Sequence, residues 1–238
     1  MKKEVAAILR QIMIILISLV LLFNIFLIVV VMQKSRSAMK VLVDKRMMDV
    51  AKTAADMIDG DALSRLRADG KDTSDYKGVL DTLGYFRDNI NDLKYIYCIK
   101  QVSDKEFVFS ADPTILDPGE FGEPVVYTEA LYEASRGITS VDSVPYEDDW
   151  GTFYSAYSPV YDSFGGIAGI LAVDFSAEWY DAQVEYFDRY VLAGCFAYSL
   201  TQIAIFLYGY NRIMRLRFRD PDEPGKGAAY EKDDTDRG

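Results

Sequence analysis

Histidine is absent from this chain of 238 residues, and cysteine occurs only twice. The first absence excludes serine–histidine triads, histidine-ligated zinc and histidine acid–base chemistry. Cys195 lies inside a long apolar run whereas Cys98 lies in the polar middle of the chain, so no internal disulfide is expected. Cys98 follows Tyr95-Ile96-Tyr97, a setting typical of a small buried hydrophobic side chain rather than of a nucleophile.

Sequence motifs of enzyme chemistry are also missing. The chain has no Walker loop, dinucleotide fingerprint or nucleophile elbow. We therefore expect no enzymatic activity, no catalytic residues and no cofactor. The net charge of −11 argues against binding to nucleic acid or anionic lipid by general electrostatics, and solubility is the preferred interpretation of this charge.

Two long apolar runs, residues 12–32 and 190–210, are the most informative feature that is present. Each has about 20 residues, which as a helix spans a hydrocarbon core of ~30 Å. The sequence therefore predicts two transmembrane helices with one domain, residues 33–189, between them. Residues 1–11 and 211–238 are then both on the other side of the membrane. The charge, proline and glycine of the second segment predict a disordered tail.

The charges around the second run predict which side of the membrane is cytoplasmic. Arg212 and Arg215 follow it, whereas Glu185 and Asp188 precede it. An excess of Lys and Arg marks the cytoplasmic side, so we expect a plasma-membrane protein with both termini inside and the domain outside. A contrary signal is the basic stretch just beyond the first run, which contains Lys34, Arg36, Lys40, Lys45 and Arg46. The second run has the cleaner asymmetry and receives more weight.

A cleaved signal peptide is the alternative interpretation of the first run. Its apolar part would have ~7–15 residues, and a small-residue cleavage site would follow. The run here is longer, and Gln33-Lys34-Ser35-Arg36 follows it. An uncleaved anchor is therefore the better prediction.

The domain begins with helix-forming sequence. Residues 35–67 contain no proline, so the helix is expected to continue from the first span, with a break at Gly60 and an N-cap at Asp61. We expect one apolar stripe to pack on the domain itself, with a second copy of the chain as the alternative partner. The stripe consists of Val41, Met48, Ala51, Ala55 and Ile58.

The rest of the domain changes from helix to strand patterns. A helix over 76–89, capped by Ser74 or Asp75, is followed by strands near 93–100 and 107–109. After a proline-containing loop, the patterns predict a short helix over 125–134 and strands over 152–161 and 167–175. These elements predict an α+β domain with a long N-terminal helix and an antiparallel sheet of about five strands.

The last two strands carry a resemblance to a known family. The closing hairpin of a single Cache domain resembles three successive segments of this chain. They are Asp149-Trp150-Gly151-Thr152, residues 154–162, and the glycine-containing residues 165–175, which end in Val173-Asp174-Phe175. The resemblance covers most of residues 35–185. It implies a PAS-like extracytoplasmic sensor domain that binds a small molecule in a bacterial or archaeal transmembrane receptor.

The resemblance also implies a ligand site on one sheet face beneath the long loop. In amine- and amino-acid-binding relatives an aspartate at the end of the last strand meets the ligand amine, and Asp174 matches that position. No arginine lies between Lys105 and Arg136, so a carboxylate ligand lacks a clamp in the loop. For each tyrosine, ordinary sheet packing is the alternative. The candidate ligand-binding residues are Tyr95, Tyr97, Asp112, Trp150, Tyr154, Ser155, Tyr157 and Asp174.

Two further features have competing interpretations. Asp142 and residues 147–149 offer the oxygen ligands of a Ca²⁺ site, but a solvated acidic loop is preferred, and no metal is predicted. Ser199, Thr201 and Gln202 lie in the second run, where they either form interhelical hydrogen bonds or are simply tolerated.

The resulting expectation is a membrane-anchored sensor. It binds a small molecule, potentially an amine, and passes a conformational change through the second transmembrane helix. The expected partners are that ligand, the membrane, a second copy through the helices, and a signalling protein in the membrane or cytoplasm. The alternatives are a ligand-free regulatory subunit of a membrane complex, or the truncated input half of a signalling enzyme or chemoreceptor.

Overall fold

The computed structural model describes residues 2–217. It forms two compact units, one made of residues 33–189 and the other of the two flanking segments. The predicted disordered tail lies outside the described residues from residue 218 onward. Residues 211–217 are helical instead, because they continue the last helix, so the prediction of disorder is wrong for them.

The flanking unit is built from parts of two long helices, residues up to 32 of α1 (Lys2–Met57) and residues from 190 of α6 (Asp188–Arg217). Each contains a stretch that is long and apolar enough to cross a membrane, by length and composition. Within this unit the Asn24 amide donates hydrogen bonds to the Val20 carbonyl at 2.9 Å and to Gln202 Oε1 at 2.5 Å. Gln202 therefore bonds to the other helix of its own chain. Which side of a membrane each terminus occupies stays a prediction.

The unit of residues 33–189 is an α+β domain, as the sequence predicted. Helix α1 continues without a break to Met57, and four shorter helices and seven strands follow. The helices are α2 (Gly60–Arg65), α3 (Ser74–Asn89), α4 (Glu129–Ser135) and α5 (Ala177–Glu185). The strands are β1 (Tyr95–Gln101), β2 (Phe107–Ala111), β3 (Pro124–Val125), β4 (Ser140–Val141), β5 (Tyr146–Asp148), β6 (Gly151–Tyr161) and β7 (Ile167–Ser176).

All strand pairs in the sheet are antiparallel. The order is β3-β2-β1-β7-β6-β4, and β5 pairs with β6 beside this path. Strands β3, β4 and β5 have only two or three residues, which explains why sequence patterns indicate about five strands rather than seven. The two strands of the predicted closing hairpin, β6 and β7, lie at the centre of the sheet.

The sheet separates two hydrophobic clusters. One face packs against α1, α2, α3 and α5, and its cluster contains Met47, Leu83 and Phe175. The other face packs against α4 with Ile99, Leu131 and other apolar side chains. Because successive strand residues point to opposite faces, the residue parity along each strand decides which cluster a side chain joins.

The apolar stripe of α1 packs on its own domain, but its phase differs from the prediction. Ala51, Ala55 and Ile58 are buried as expected, whereas Val41 is 65% exposed. Val43 and Met47 are buried instead, because they lie eight and four residues before Ala51 and so share its face of the helix. The predicted and the observed stripe both consist of apolar residues, so the sequence alone does not show which of the two faces packs against the sheet.

The predicted helix caps are wrong by one or two residues. Asp59, not Asp61, accepts a hydrogen bond from the Ala62 N–H at 3.0 Å and caps α2, and Asp61 instead accepts from the N–H of Ser163. Helix α3 is capped by Thr73 rather than by Ser74 or Asp75. Gly60 is a packing glycine, because a Cβ there would lie 2.1 Å from the Tyr161 carbonyl oxygen.

Candidate functional site

The carboxyl group of Asp174, near the end of β7, is the centre of the candidate site. It is 2% exposed and lies opposite Tyr95 on β1 and Ser155 on β6. Ser155 Oγ donates to Asp174 Oδ1 at 2.5 Å, and the Tyr97 hydroxyl donates to the same oxygen at 3.4 Å. Burial raises the pKa of Asp174 to about 8, although the Ser155 hydrogen bond opposes this effect.

No cation compensates this buried carboxyl group. Among residues 2–217, no lysine or arginine forms an ion pair with Asp174. A buried charge without a partner is costly, so such groups are seldom retained for stability alone. Asp174 is therefore suited to meet a positive group that comes from outside the chain.

Most of the predicted ligand residues share one face of the sheet. Tyr95 and Tyr97 alternate along β1, Ser155 and Tyr157 alternate along β6, and register places them on the same face as Asp174. Tyr95 and Tyr97 line the cavity beside Asp174, whereas Ser155 and Tyr157 lie beneath it as hydrogen-bond partners of buried carboxyl groups.

Tyr154 is on the opposite face, which corrects its prediction as a ligand residue. Its ring stacks on Tyr180 of α5, with the ring centroids 3.8 Å apart. It belongs to the hydrophobic cluster beneath the helices. Parity along β6 excludes Tyr154 from the face that carries Ser155.

Trp150 and the loop after β2 close the cavity. The Trp150 indole N–H donates to the Asp117 carbonyl at 3.1 Å, and its ring meets Phe109 edge-on at 5.8 Å. Gly119 passes so close to Phe109 that a Cβ there would lie 2.6 Å from the ring. Residues 112–119 therefore form a lid, which we name the lid loop.

Asp112 lines the cavity, but its carboxylate organises the lid loop. Oδ1 accepts a hydrogen bond from the Thr114 N–H at 2.8 Å, and Oδ2 accepts one from the Gly119 N–H at 2.8 Å. The Arg87 guanidinium also donates to the Pro113 carbonyl. Because both oxygens of Asp112 have loop partners, its direct role is to hold the lid loop in shape.

Asp148 is a cavity residue that sequence reasoning missed as a ligand contact. Its Oδ1 accepts from the N–H groups of Trp150 and Gly151, at 2.9 and 3.1 Å, and its side chain lines the same cavity as Asp174. Burial raises the pKa of Asp148, and the nearby carboxylate of Asp149 adds to this. The only signal in the sequence is its place two residues before Trp150, the spacing of an Asx turn.

The cavity is acidic, aromatic and small. Its lining contains four carboxyl groups and three aromatic rings besides Tyr97, and no lysine or arginine. Its volume is about 10 Å³, which holds about one water molecule. A cleft of about 170 Å³ adjoins it and shares four lining residues, Tyr97, Phe109, Asp148 and Trp150. Trp150, which lines both spaces, therefore forms part of the wall between a ligand-sized cleft and the cavity of Asp174.

Other predicted sites have simpler structures. Cys98 is fully buried, and burial raises the pKa of its thiol to about 12, in agreement with its prediction as a small hydrophobic residue. Within residues 2–217, no group of three or more Cys, Asp or Glu side chains is placed so that it could hold a metal ion. The acidic stretch from Asp142 to Asp149 is instead divided between a buried residue and a cavity wall.

Comparison with known proteins gives structural neighbours only. No protein-family model matches the chain, and no curated protein matches it. The sensor domain of DcuS from E. coli has a TM-score of 0.46 and 17% identity, over 64% of this chain and 98% of that one.

Two chemoreceptor domains are also similar. The ligand-binding domain of the Pseudomonas aeruginosa PAO1 amino acid chemoreceptor PctC, in complex with GABA, has a TM-score of 0.41 and 17% identity over 64% of this chain. That of Campylobacter jejuni chemoreceptor Tlp3, in complex with L-valine, has a TM-score of 0.35 and 16% identity over 63%. The chain spans 63% and 66% of the length of these two domains. The first of these three neighbours is a sensor domain, and the other two are ligand-binding domains of chemoreceptors.

Proposed function

We propose that this chain is a membrane-anchored sensor whose domain binds a small organic cation at Asp174. The observation that carries this proposal is a carboxyl group, 2% exposed, that lines a cavity and has no cationic partner within residues 2–217. A protonated amine would supply the missing charge. The tyrosine and tryptophan rings around it offer apolar faces and polar tips for the rest of the ligand.

The charges of the lining favour an amine without a carboxylate. Neither the cavity nor the adjoining cleft is lined by a lysine or arginine, the side chains that usually bind a carboxylate. A second acidic residue, Asp148, lies in both linings. An amino acid would place its carboxylate in this negative field, so a simple amine should bind more tightly.

Ligand entry would require the lid loop to move. The cavity holds about one water molecule, whereas the adjoining cleft has room for several ligand atoms. The Trp150–Asp117 hydrogen bond closes the passage, and a hydrogen bond of this kind contributes about 0.5–1.5 kcal/mol. A ligand that meets Asp174 can outweigh this closure, so binding and lid position are coupled.

The path from the site towards α6 is short. Asp174 is followed by Phe175, which stacks on Trp179 of α5 with ring centroids 4.6 Å apart. The side chain of Ser176 caps α5, so a shift of β7 displaces the first turn of that helix. The Tyr180 hydroxyl donates to Asp44 of α1 at 2.5 Å. In this proposal, ligand binding changes the position of α5, and α6 passes that change across the membrane.

A thermal-shift measurement tests the proposal. The complete chain in detergent is heated with primary amines, the alcohols of the same length, amino acids and small carboxylates. A ligand at 100 times its Kd stabilises the folded state by about 2.7 kcal/mol, or roughly 5–10 °C for a protein of this size. We expect shifts of this size with amines.

Two variants make the test specific. Asp174→Asn keeps an acceptor for Ser155 and Tyr97 but removes the charge, so it should remove the part of the amine-dependent shift that comes from Asp174. Asp81→Asn makes the same charge change at an exposed position on α3 and should leave the shift intact. An amine-dependent shift as large in Asp174→Asn as in the unmodified chain would overturn the role of Asp174, and no shift with any amine would favour the ligand-free subunit instead.

A further inference from the structure

A second and larger cavity lies between α4 and the segment that joins β4 to β5. Its volume is about 370 Å³, within the range of small-molecule binding sites. It shares no lining residue with the Asp174 cavity or its adjoining cleft. Its lining includes Thr128, Glu129, Glu133, Asp142, Val144 and Tyr146.

Asp142 supplies the buried charge of this second cavity. It is 4% exposed, and its Oδ2 accepts hydrogen bonds from the Ser155 N–H at 3.2 Å and the Tyr157 hydroxyl at 3.3 Å. Burial raises the pKa of Asp142 to about 6, and the Thr128 side chain opposes this effect. At pH 7.5 the group is therefore mainly a carboxylate.

The two buried carboxyl groups lie in one row across the sheet. The Asp142 N–H bonds to the Ser155 carbonyl, and Ser155 lies opposite Asp174 on β7. Two strand spacings separate the two aspartates, or about 10 Å between their Cα atoms. The Tyr146 hydroxyl, which lies 3.1 Å from Ser155 Oγ and can donate to it, lies between them. The cavities are therefore separate, with one of these two buried aspartates in each.

Among residues 2–217, no lysine or arginine forms an ion pair with Asp142, and the Lys40 ammonium beside this cavity donates to the Ser143 carbonyl at 3.1 Å. No lysine or arginine lines it, and Glu129 and Glu133 add further negative charge at its mouth. Its volume exceeds that of a bare metal ion, and no group of three potential metal ligands comes together within the part of the chain that the structure describes. The lining therefore fits an organic cation better than a metal ion.

We propose that this second cavity binds a primary alkylammonium ion through Asp142, independently of the Asp174 cavity. The ammonium group donates to the Asp142 carboxylate and to the hydroxyl of Thr128, and the alkyl chain lies along Val144 and Val141. One chain would then bind two amines. Neither site requires the other, so each proposal can fail alone.

Equilibrium dialysis counts the bound amines directly. The complete chain in detergent is dialysed at pH 7.5 against radiolabelled 1-aminobutane, and the saturable amine bound per chain is measured. We expect two equivalents in the unmodified chain and one in Asp174→Asn. Asp142→Asn should remove the other equivalent, with an affinity at least about tenfold weaker at that site.

A second variant tests the cavity without touching Asp142. Val144 lines the cavity and is 68% exposed, so Val144→Trp fills the space with little effect on the core. Val102→Trp is the matched control, because Val102 is 58% exposed and lies outside the cavity. Combined with Asp174→Asn, the first should leave no bound amine and the second should leave one.

The outcomes distinguish the two sites. If Asp174→Asn binds no amine, or if its remaining amine survives in Val144→Trp, the second site is overturned. If Asp142→Asn binds none while Asp174→Asn binds one, the proposed function fails and the second site stands. Absence of saturable binding in every variant overturns both.

Discussion

Replacement of Asp174 by asparagine should stabilise the protein at alkaline pH. The carboxyl group has a pKa of about 8 in the folded chain, against about 4 in an unfolded one. Between these values the folded state holds the proton more tightly, so stability falls as the pH rises from 4 to 8. Each pH unit costs about 1.4 kcal/mol, so full ionisation costs on the order of 5 kcal/mol.

Asp174→Asn does not lose this stability at alkaline pH, because asparagine does not ionise. Its amide oxygen accepts the same hydrogen bonds from Ser155 and Tyr97 and carries no charge at any pH. At pH 5 only about 1.4 kcal/mol of this cost is present, because just one pH unit separates this pH from the unfolded pKa, so the two proteins should differ little in stability. At pH 8.5 the variant should be more stable by several kcal/mol, which corresponds to a midpoint higher by about 10 °C or more.

Thermal unfolding of the complete chain in detergent, without ligand, measures this from pH 5 to 9. Asp142 provides an internal reference, because its pKa of about 6 adds a loss of stability between pH 4 and 6 to both proteins. The reasoning is refuted if the variant is less stable at pH 8.5, or if both proteins lose stability in parallel between pH 6 and 8.

Three further predictions follow from the same contacts. Binding of an amine at pH 7 should release close to one proton from Asp174, seen in calorimetry as a heat that depends on the ionisation enthalpy of the buffer; equal heats in all buffers would contradict this. Gly119→Ala should push the lid loop off Phe109, where a Cβ would lie 2.6 Å from the ring, and so accelerate hydrogen exchange in that loop; unchanged exchange would show that the lid is not held there. Tyr180→Phe keeps the ring but leaves Asp44 without its donor, so unfolding should become easier by about 1–3 kcal/mol in denaturant titration, and a loss below ~0.5 kcal/mol would argue against this contact.

Sequence patterns predict the architecture because most of it follows local rules. The long apolar runs, the α-helical continuation to Met57 and the alternating strands β6 and β7 depend on composition and periodicity alone. The short strands β4 and β5 do not, since segments of two or three residues carry no periodic signal. Both of them pair with β6, which is a tertiary contact that local sequence does not encode.

Some residues of the candidate site can likewise be predicted from the sequence, and others cannot. Tyr95, Tyr97 and Asp174 meet because register and parity follow from the strands themselves. Tyr154 could have been excluded from sequence, since it differs from Ser155 by one position and so points to the other face. Asp148 could not have been found, because its place in the cavity depends on β5 and on its turn with Trp150.

The roles of the remaining polar residues depend on tertiary contacts. Asp112 is a residue type that often contacts ligands, but both of its carboxylate oxygens accept hydrogen bonds from backbone N–H groups of the lid loop, which begins at this residue. Asp142 lies in a stretch of sequence that is typical of an exposed acidic loop. Its side chain is nevertheless buried, where it accepts hydrogen bonds from the Ser155 N–H and the Tyr157 hydroxyl. Spacing alone does not distinguish a loop-forming aspartate from a binding one, because both use the same oxygens.

Charge recognition at Asp174 is the central claim, and Trp150 can report on it. The chain has two tryptophans, so in a Trp179→Phe background the fluorescence comes from Trp150, which lines the Asp174 cavity and not the second one. The measurement is a titration of this fluorescence with 1-aminobutane and with 1-butanol. A charge-assisted hydrogen bond of about 1.5–3 kcal/mol predicts that the amine binds at least about tenfold more tightly than the alcohol, and that Asp174→Asn removes this preference. Equal affinities for the two compounds, or a preference for the amine that persists in Asp174→Asn, would contradict the account.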